Sequence, residues 1–217
     1  MRPVSRLAAC VLVLSALASC APSRATPDPS FLVTCAQQSW QADWHGVWQI
    51  EWAGAPAPGP LVAEVWHAAD GRLRIETLEA ASPALNGLTL VSDGSSSYLY
   101  ELRSDQVQID SAGQMRIPLA SDALDAMAWL VARLNRATVR VVGHDVLESG
   151  PATRLEILLD SSEGAELWVH DETGLPARLE LHSANWGEAV FTSRSLDAPV
   201  YLHPGLFQPP QPRAEPP

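Results

Sequence analysis

From Trp40 to Trp52 the chain reads WQADWHGVWQIEW, with a tryptophan at every fourth position. That spacing keeps residues together on a helix and also on one side of a strand. The residues between decide. Trp40, Ala42, Trp44, Gly46, Trp48, Ile50 and Trp52 carry no polar side chain, whereas Gln41, Asp43, His45, Gln49 and Glu51 alternate with them and only Val47 breaks the polar set. Period two fits better than 3.6, and Gly46 weakens a helix further. The pattern predicts a half-buried antiparallel strand, at least over Gly46–Trp52.

Further strands follow at short spacing. Leu61–His67, a tight turn at Asp70-Gly71 and Arg72–Leu78 form one hairpin, with Leu73, Ile75 and Thr77 sharing a face. Turns at Asp93-Gly94 and Ser104-Asp105 frame Tyr98–Tyr100 and precede Val107–Ile109. Later strands are predicted over Thr138–Gly143, Arg154–Leu159, Ala165–His170, Ala177–His182 and Glu188–Leu196, with Gly150-Pro151, Glu163-Gly164, Thr173-Gly174 and Trp186-Gly187 between them. One segment breaks the rhythm. Ser121–Leu134 has a Ser at the N-cap position, two aspartates in its first turn and an apolar stripe of Leu124, Met127, Ala128, Val131 and Leu134, widened by Trp129 and Leu130. A shorter helix is predicted over Asp28–Cys35, with Asp28 as cap and Pro29 in the first turn. Nine or ten short strands with two helices predict a mainly β fold. Its meandering antiparallel sheet must curl to bury its apolar face, with the mid-chain helix as cover.

The first twenty residues change the picture. Arg2 and Arg6 precede an apolar run, Leu7–Leu17, too short to span a bilayer and of signal-peptide length. Leu17-Ala18-Ser19-Cys20 resembles a bacterial lipobox, which implies cleavage before Cys20 and lipidation of its sulfur; the bland reading is an ordinary cleaved signal peptide. Residues 1–19 are thus expected to be a signal segment and 20–27 a tether. The folded domain is expected over 28–208 and a Pro-rich tail over 209–217. Ala21 is not the Asp that marks inner-membrane retention, so an outer-membrane address is open, as is the outer face of the cytoplasmic membrane. With Cys10 and Cys20 accounted for, Cys35 stands alone. It forms no internal disulfide and is expected to be a small core residue.

A formal net charge of −11 argues against nucleic-acid partners. The six histidines are scattered without ligand spacing, Gly94-Ser95-Ser96-Ser97 lacks the pattern of a nucleophile elbow, and no phosphate-cradling loop is present. No metal, cofactor or catalytic residue is therefore expected.

Ala63–Glu76 and Ala165–Glu180 look alike: Ala-Glu-aliphatic-Trp, a His, a Gly turn, Arg-Leu and a closing Glu. Either two hairpins obey the same rules or the segment is duplicated. These stretches, together with PALNGLTLVSDGSSSYLYE and ELWVHDETGLP, resemble the LolA-like superfamily over about Trp40–Phe207. That group includes the lipoprotein carrier LolA, its lipid-anchored receptor LolB and the N-terminal domain of RseB. The resemblance implies an open half barrel whose concave side, plugged by helices, holds acyl chains or apolar peptide segments. The residues it would place in or behind such a cavity are Trp44, Trp48, Ile50, Trp52, Leu73 and Ile75 on early strands. Leu124, Met127 and Val131 would join them from the helix, and Leu155, Ile157, Leu167, Val169, Leu179 and Leu181 from late strands.

Three functions fit unequally. A membrane-anchored module binding a lipid or a lipoprotein acyl chain leads, because burial contributes about 0.8 kcal/mol per methylene. A lipobox is incompatible with free shuttling, which favours a receptor or sensor. An envelope sensor with a protein partner comes second, weakened because the chain ends in a Pro-rich tail where a partner-binding domain would follow. An enzyme comes last. The plain alternative is that the aromatic face simply fills a core.

Overall fold

The computed structural model describes residues 27–53, 59–111, 114–159, 164–183 and 187–209. The expected signal segment, Cys20, the tether up to residue 26 and the tail from residue 210 lie outside the described residues, as does Trp186.

Helix α1 (Pro29–Trp40) opens the fold, capped by Asp28, whose carboxylate accepts from the Ser30 N–H at 2.9 Å. Eleven strands follow: β1 (Trp44–Ala53), β2 (Leu61–His67), β3 (Leu73–Ala80), β4 (Leu88–Ser92), β5 (Ser97–Glu101) and β6 (Gln106–Asp110). Helix α2 (Ala120–Val131) and a 3₁₀ turn (Leu134–Arg136) come next. The chain then runs through β7 (Thr138–Leu147), β8 (Gly150–Leu158), β9 (Gly164–His170), β10 (Pro176–Ser183) and β11 (Gly187–Asp197). All eleven form one antiparallel sheet in the order β6-β5-β4-β3-β2-β1-β11-β10-β9-β8-β7. The sheet stays open, with β6 and β7 as its edges, and both helices cover its apolar concave face. The mainly β half barrel with a helical lid is thus present.

The first helix runs five residues beyond the predicted Cys35, because Leu32, Val33, Ala36 and Trp40 continue one buried stripe. Trp40 therefore ends a helix instead of opening a strand. The four-residue spacing simply continues across the change of structure, and the Trp44 indole donates to the Trp40 carbonyl at 3.3 Å, satisfying one of the helix's terminal acceptors. Strand β1 buries Trp44, Gly46, Trp48 and Ile50 in strict alternation, as predicted. Gly46 is needed there: a Cβ would lie 2.9 Å from both Leu196 Cδ2 and the Ser195 carbonyl.

Other boundaries moved for local reasons. Gly150-Pro151 opens β8 instead of forming the turn, so β7 runs on to Leu147. Ser121 is not the cap of α2. It sits inside the first turn, where its hydroxyl accepts from the Ile117 N–H at 3.0 Å, while Leu119 stands at the cap with φ of 68°. The buried side of α2 is also turned from the expected stripe. Ala120, Ala123, Ala126, Met127, Leu130 and Val131 face inward, Leu124 and Trp129 are half-buried, and Ala128 is exposed. Among the described residues the large core cluster runs from Leu32 to Leu196.

The two look-alike segments are the β2–β3 and β9–β10 hairpins, and they repeat one cross-strand quartet. Glu64 faces Glu76 and Trp66 faces Arg74 in the first; Glu166 faces Glu180 and Trp168 faces Arg178 in the second. In both, the arginine lies over the indole, at 5.7 and 5.2 Å, and its Nε donates to the glutamate two residues on, at 2.7 and 3.0 Å.

Candidate functional site

The concave side of β1, β2 and β11 and the inner side of α2 face each other across an apolar cleft. Trp48, Ile50, Val65 and Phe191 line the sheet wall, Ala120, Ala123, Leu124 and Met127 the helix wall, and Trp40 one end. The space left between them is about 10 Å³, room for roughly one water. An apolar space of that size has no partners for a water. The cleft is narrow, and side chains fill most of the space between its walls.

Of the fifteen positions expected to line or support a cavity, Trp48, Ile50, Leu124 and Met127 border this cleft. Trp44, Ile75, Val131, Leu155, Ile157, Leu167, Val169, Leu179 and Leu181 are buried in the same core cluster, with Trp52 and Leu73 packed half-buried against it. Val65, Ala120, Ala123 and Phe191 border the cleft beyond the expected positions, and Trp40, whose spacing puts it with the same aromatic face, reaches it from the end of α1. The alanines carried no signal in the sequence, because alanine fits either side of a helix.

The lid helix is held unevenly. At its C-terminal end, the Gln37 side-chain amide of α1 donates to the Val131 carbonyl at 2.9 Å. At its N-terminal end, Asp122 accepts from the Leu119 N–H at 3.2 Å and pairs with Arg116 at 3.0 Å, and Arg116 also reaches Asp125 at 2.5 Å. Those ion pairs are close to half exposed, so each contributes under about 1 kcal/mol. Leu119 adds a positive φ that a branched residue holds at a cost of roughly 1–3 kcal/mol.

A second, wider cleft of about 640 Å³ opens on the surface between α1 and the β9–β10 turn. Here Thr153 donates to Asp171 at 2.8 Å and meets His144 Nδ1 at 3.0 Å. The turn motif of that region proves structural. The Ser39 hydroxyl of α1 donates to the Thr173 carbonyl at 2.8 Å, and Gly174, at φ of 70°, leaves no space for a Cβ beside Ser39 and Cys35. Cys35 is half-buried at this surface and is not a core residue, because the side of α1 it occupies faces the turn. Among the described residues no group of His, Cys, Asp or Glu is arranged to hold a metal ion, and no helix is long and apolar enough to cross a membrane.

No protein-family model matches the chain, and no curated protein matches it by sequence. Solved structures do match in shape. MucB aligns at a TM-score of 0.57 and 19% identity, over 87% of this chain and 65% of MucB. LprF from Mycobacterium bovis aligns at 0.54 and 12% identity, over 81% of this chain and 97% of LprF. The MucA/MucB complex of Pseudomonas aeruginosa aligns at 0.53 and 18% identity, over 84% of this chain and 61% of that one. This chain therefore spans just under two thirds of MucB. The likenesses show the fold, an open half barrel shared with MucB and LprF.

Proposed function

We propose that this chain is an extracytoplasmic lipoprotein, anchored to a membrane through Cys20, that binds an apolar ligand between α2 and the sheet. The ligand class is a lipid or the acyl chain of a lipoprotein, the kind of cargo that lipoprotein sorting or transfer handles. No catalytic step is part of this reading. The observation that carries it is the cleft under α2, apolar on both walls and bordered on the helix side by Ala120 and Ala123. Alanines bury little area, so lifting this end of the helix exposes less apolar surface than lifting a leucine-faced helix would. The strained Leu119 and the surface ion pairs of Arg116 make the N-terminal end of α2 the weaker hinge. A ligand would replace the helix contacts with its own methylenes, at about 0.8 kcal/mol each.

The test is native mass spectrometry of the chain from Ala21 onward, purified from cells. A lipid-sized mass removed by organic solvent, and missing from folded Trp48→Ser and Ile50→Asp variants, is the expected result. A clean apo mass from folded protein that also takes up no added lipid would mean that the aromatic face only fills a core.

A second reading, an envelope sensor with a protein partner, is favoured by the likeness to MucB, which has been solved in complex with MucA. Crosslinking of the anchored chain in its membrane, followed by identification of a single stoichiometric protein, would support it over ligand binding.

A further inference from the structure

The two edges of the sheet are built differently. Strand β6 is five residues long and mostly polar, with Gln106, Gln108 and Asp110, so it offers little to pair with. Strand β7 is ten residues long and contains no proline. Among the described residues no backbone hydrogen bond reaches its outer side. It also leaves valines in solvent, Val142 at 37% and Val146 at 85% exposure.

The strand carries one bulge. Val141 faces Leu155 and Gly143 faces Arg154 on β8, so Val142 between them is the extra residue. Before the bulge, Val139 and Val141 pack on the core from the concave side, while Arg140 pairs with Glu156 on the convex side. After it, His144 meets Thr153 beside α1 on the concave side, and Val146, two residues on, shares that side. Asp145 is convex, accepting at 2.7 Å from the indole of Trp168, which alternates with the core residues Leu167 and Val169.

Facing residues of an antiparallel pair lie on the same side of the sheet. A regular strand laid on β7 would match sides on one half only, so the bulge rejects ordinary strands. A second β7 matches on both halves. Turned about a dyad between Val142 and Gly143, the two strands overlap from end to end. Arg140 then faces Asp145 of the partner subunit on the convex side, and Val139 faces the partner's Val146 on the concave side. Each pairing occurs twice. Arg140 has 69% of its side chain exposed beside Glu156, and Asp145 spends only one oxygen on Trp168, so both charges can meet a partner. Sliding the register by two residues either way sets Arg140 against Gly143 or Leu147 of the partner subunit instead. At the dyad Val142 meets the partner's Gly143. The single chain has no steric need for that glycine: its φ is not left-handed, and a Cβ there would come no closer than 3.9 Å to Arg154.

We infer that two copies of this chain pair through β7, antiparallel in this register, joining their sheets into one. The bulge selects the partner, the Arg140–Asp145 pairs set the register, and Gly143 makes room at the centre. This is independent of what binds under α2.

A single strand edge is smaller than the roughly 800 Å² a side of a standard interface, so the test is run where the chain is concentrated, in the membranes of cells making the full chain. Cysteines replace Val139 and Val146 together in a Cys35→Ala background, and an oxidant is added. Facing Cα atoms are about 4.5–5.5 Å apart, within disulfide range. On a non-reducing gel the double variant should run at twice the mass, and reductant should reverse this. Val139→Cys or Val146→Cys alone should stay at one chain, because the two copies of either residue lie roughly 23 Å apart along the pair. Arg140→Glu, which sets a second carboxylate opposite Asp145 of the partner subunit, should abolish the product. Light scattering of the concentrated chain in detergent should give two chains per particle, and one chain in Val146→Arg, whose exposed position leaves the fold intact. Equal crosslinking by the single variants would overturn the inference. So would one chain per particle together with no product from the folded double variant, or capture of a different protein by Val146→Cys.

Discussion

The imidazole of His67 lies face to face with the indole of Trp44, ring centroids 5.2 Å apart and planes within 12°. Trp40 stacks against the same imidazole at 6.2 Å, so the end of α1, the start of β1 and the end of β2 meet on one histidine. Its Nδ1 contacts the Ala42 carbonyl at 3.2 Å, a contact it makes as donor.

That packing predicts a pH dependence. Burial lowers the pKa of His67 below 6.5, against the opposing pull of the Ala42 carbonyl, Asp43 and Asp70. Above 6.5 the histidine is neutral folded and unfolded, and the full stability is present. As the pH falls below 6.5 the unfolded chain takes up the proton first, and stability is lost until the lowered folded value is reached. Urea midpoints should therefore drop across this window, and His67→Phe, which keeps a ring in the stack, should flatten the drop. An unchanged slope in the variant would assign it to other groups.

A second prediction concerns Gly46. Its hypothetical Cβ meets a backbone carbonyl as well as Leu196 and Trp48, so the neighbours cannot simply rotate away. Gly46→Ala should lower unfolding free energy by about 1–3 kcal/mol, read from denaturant titration.

The lid can be loosened without touching the cleft. Asp122→Ala removes the acceptor of the Leu119 N–H, one Arg116 partner and a negative charge at the helix N-terminus, together about 1 kcal/mol. Hydrogen exchange should quicken over 120–131 while β9 and β10 keep their protection. Equal quickening everywhere would mean that α2 does not open separately from the sheet.

Asp93 offers a local check on the β4–β5 turn. Hydrogen bonds from the backbone of Ser96 and Ser95, and from the Ser95 hydroxyl, lower its pKa from 3.8 to about 2. Because the folded value is depressed, the turn's contribution is present above 3.8 and is lost as the pH falls through 2. A carboxyl titration by NMR should place Asp93 near 2, and Ser95→Ala, which removes the hydroxyl but keeps the two backbone donors, should raise it in part.

Much of this architecture could be read from residue order because a half-buried antiparallel strand records its burial at period two. Strand β2 was predicted to the residue at Leu61–His67, and Gly71, Gly94 and Gly174 lie in turns at positive φ where dipeptide signals placed them. Most of the core on the concave face was legible for the same reason, from Ile75 to Leu181. Tertiary structure decided three other things. It gave Trp40 to a helix, since a spacing of four is shared by helix and strand and only packing against Trp44 and His67 distinguishes them. It turned Ala123 and Ala126 inward and Ala128 outward, since a methyl group has little preference of its own. And it set the width of the cleft under α2, because that is the small difference between two packed surfaces whose many side chains must fit simultaneously, a quantity written in no single residue.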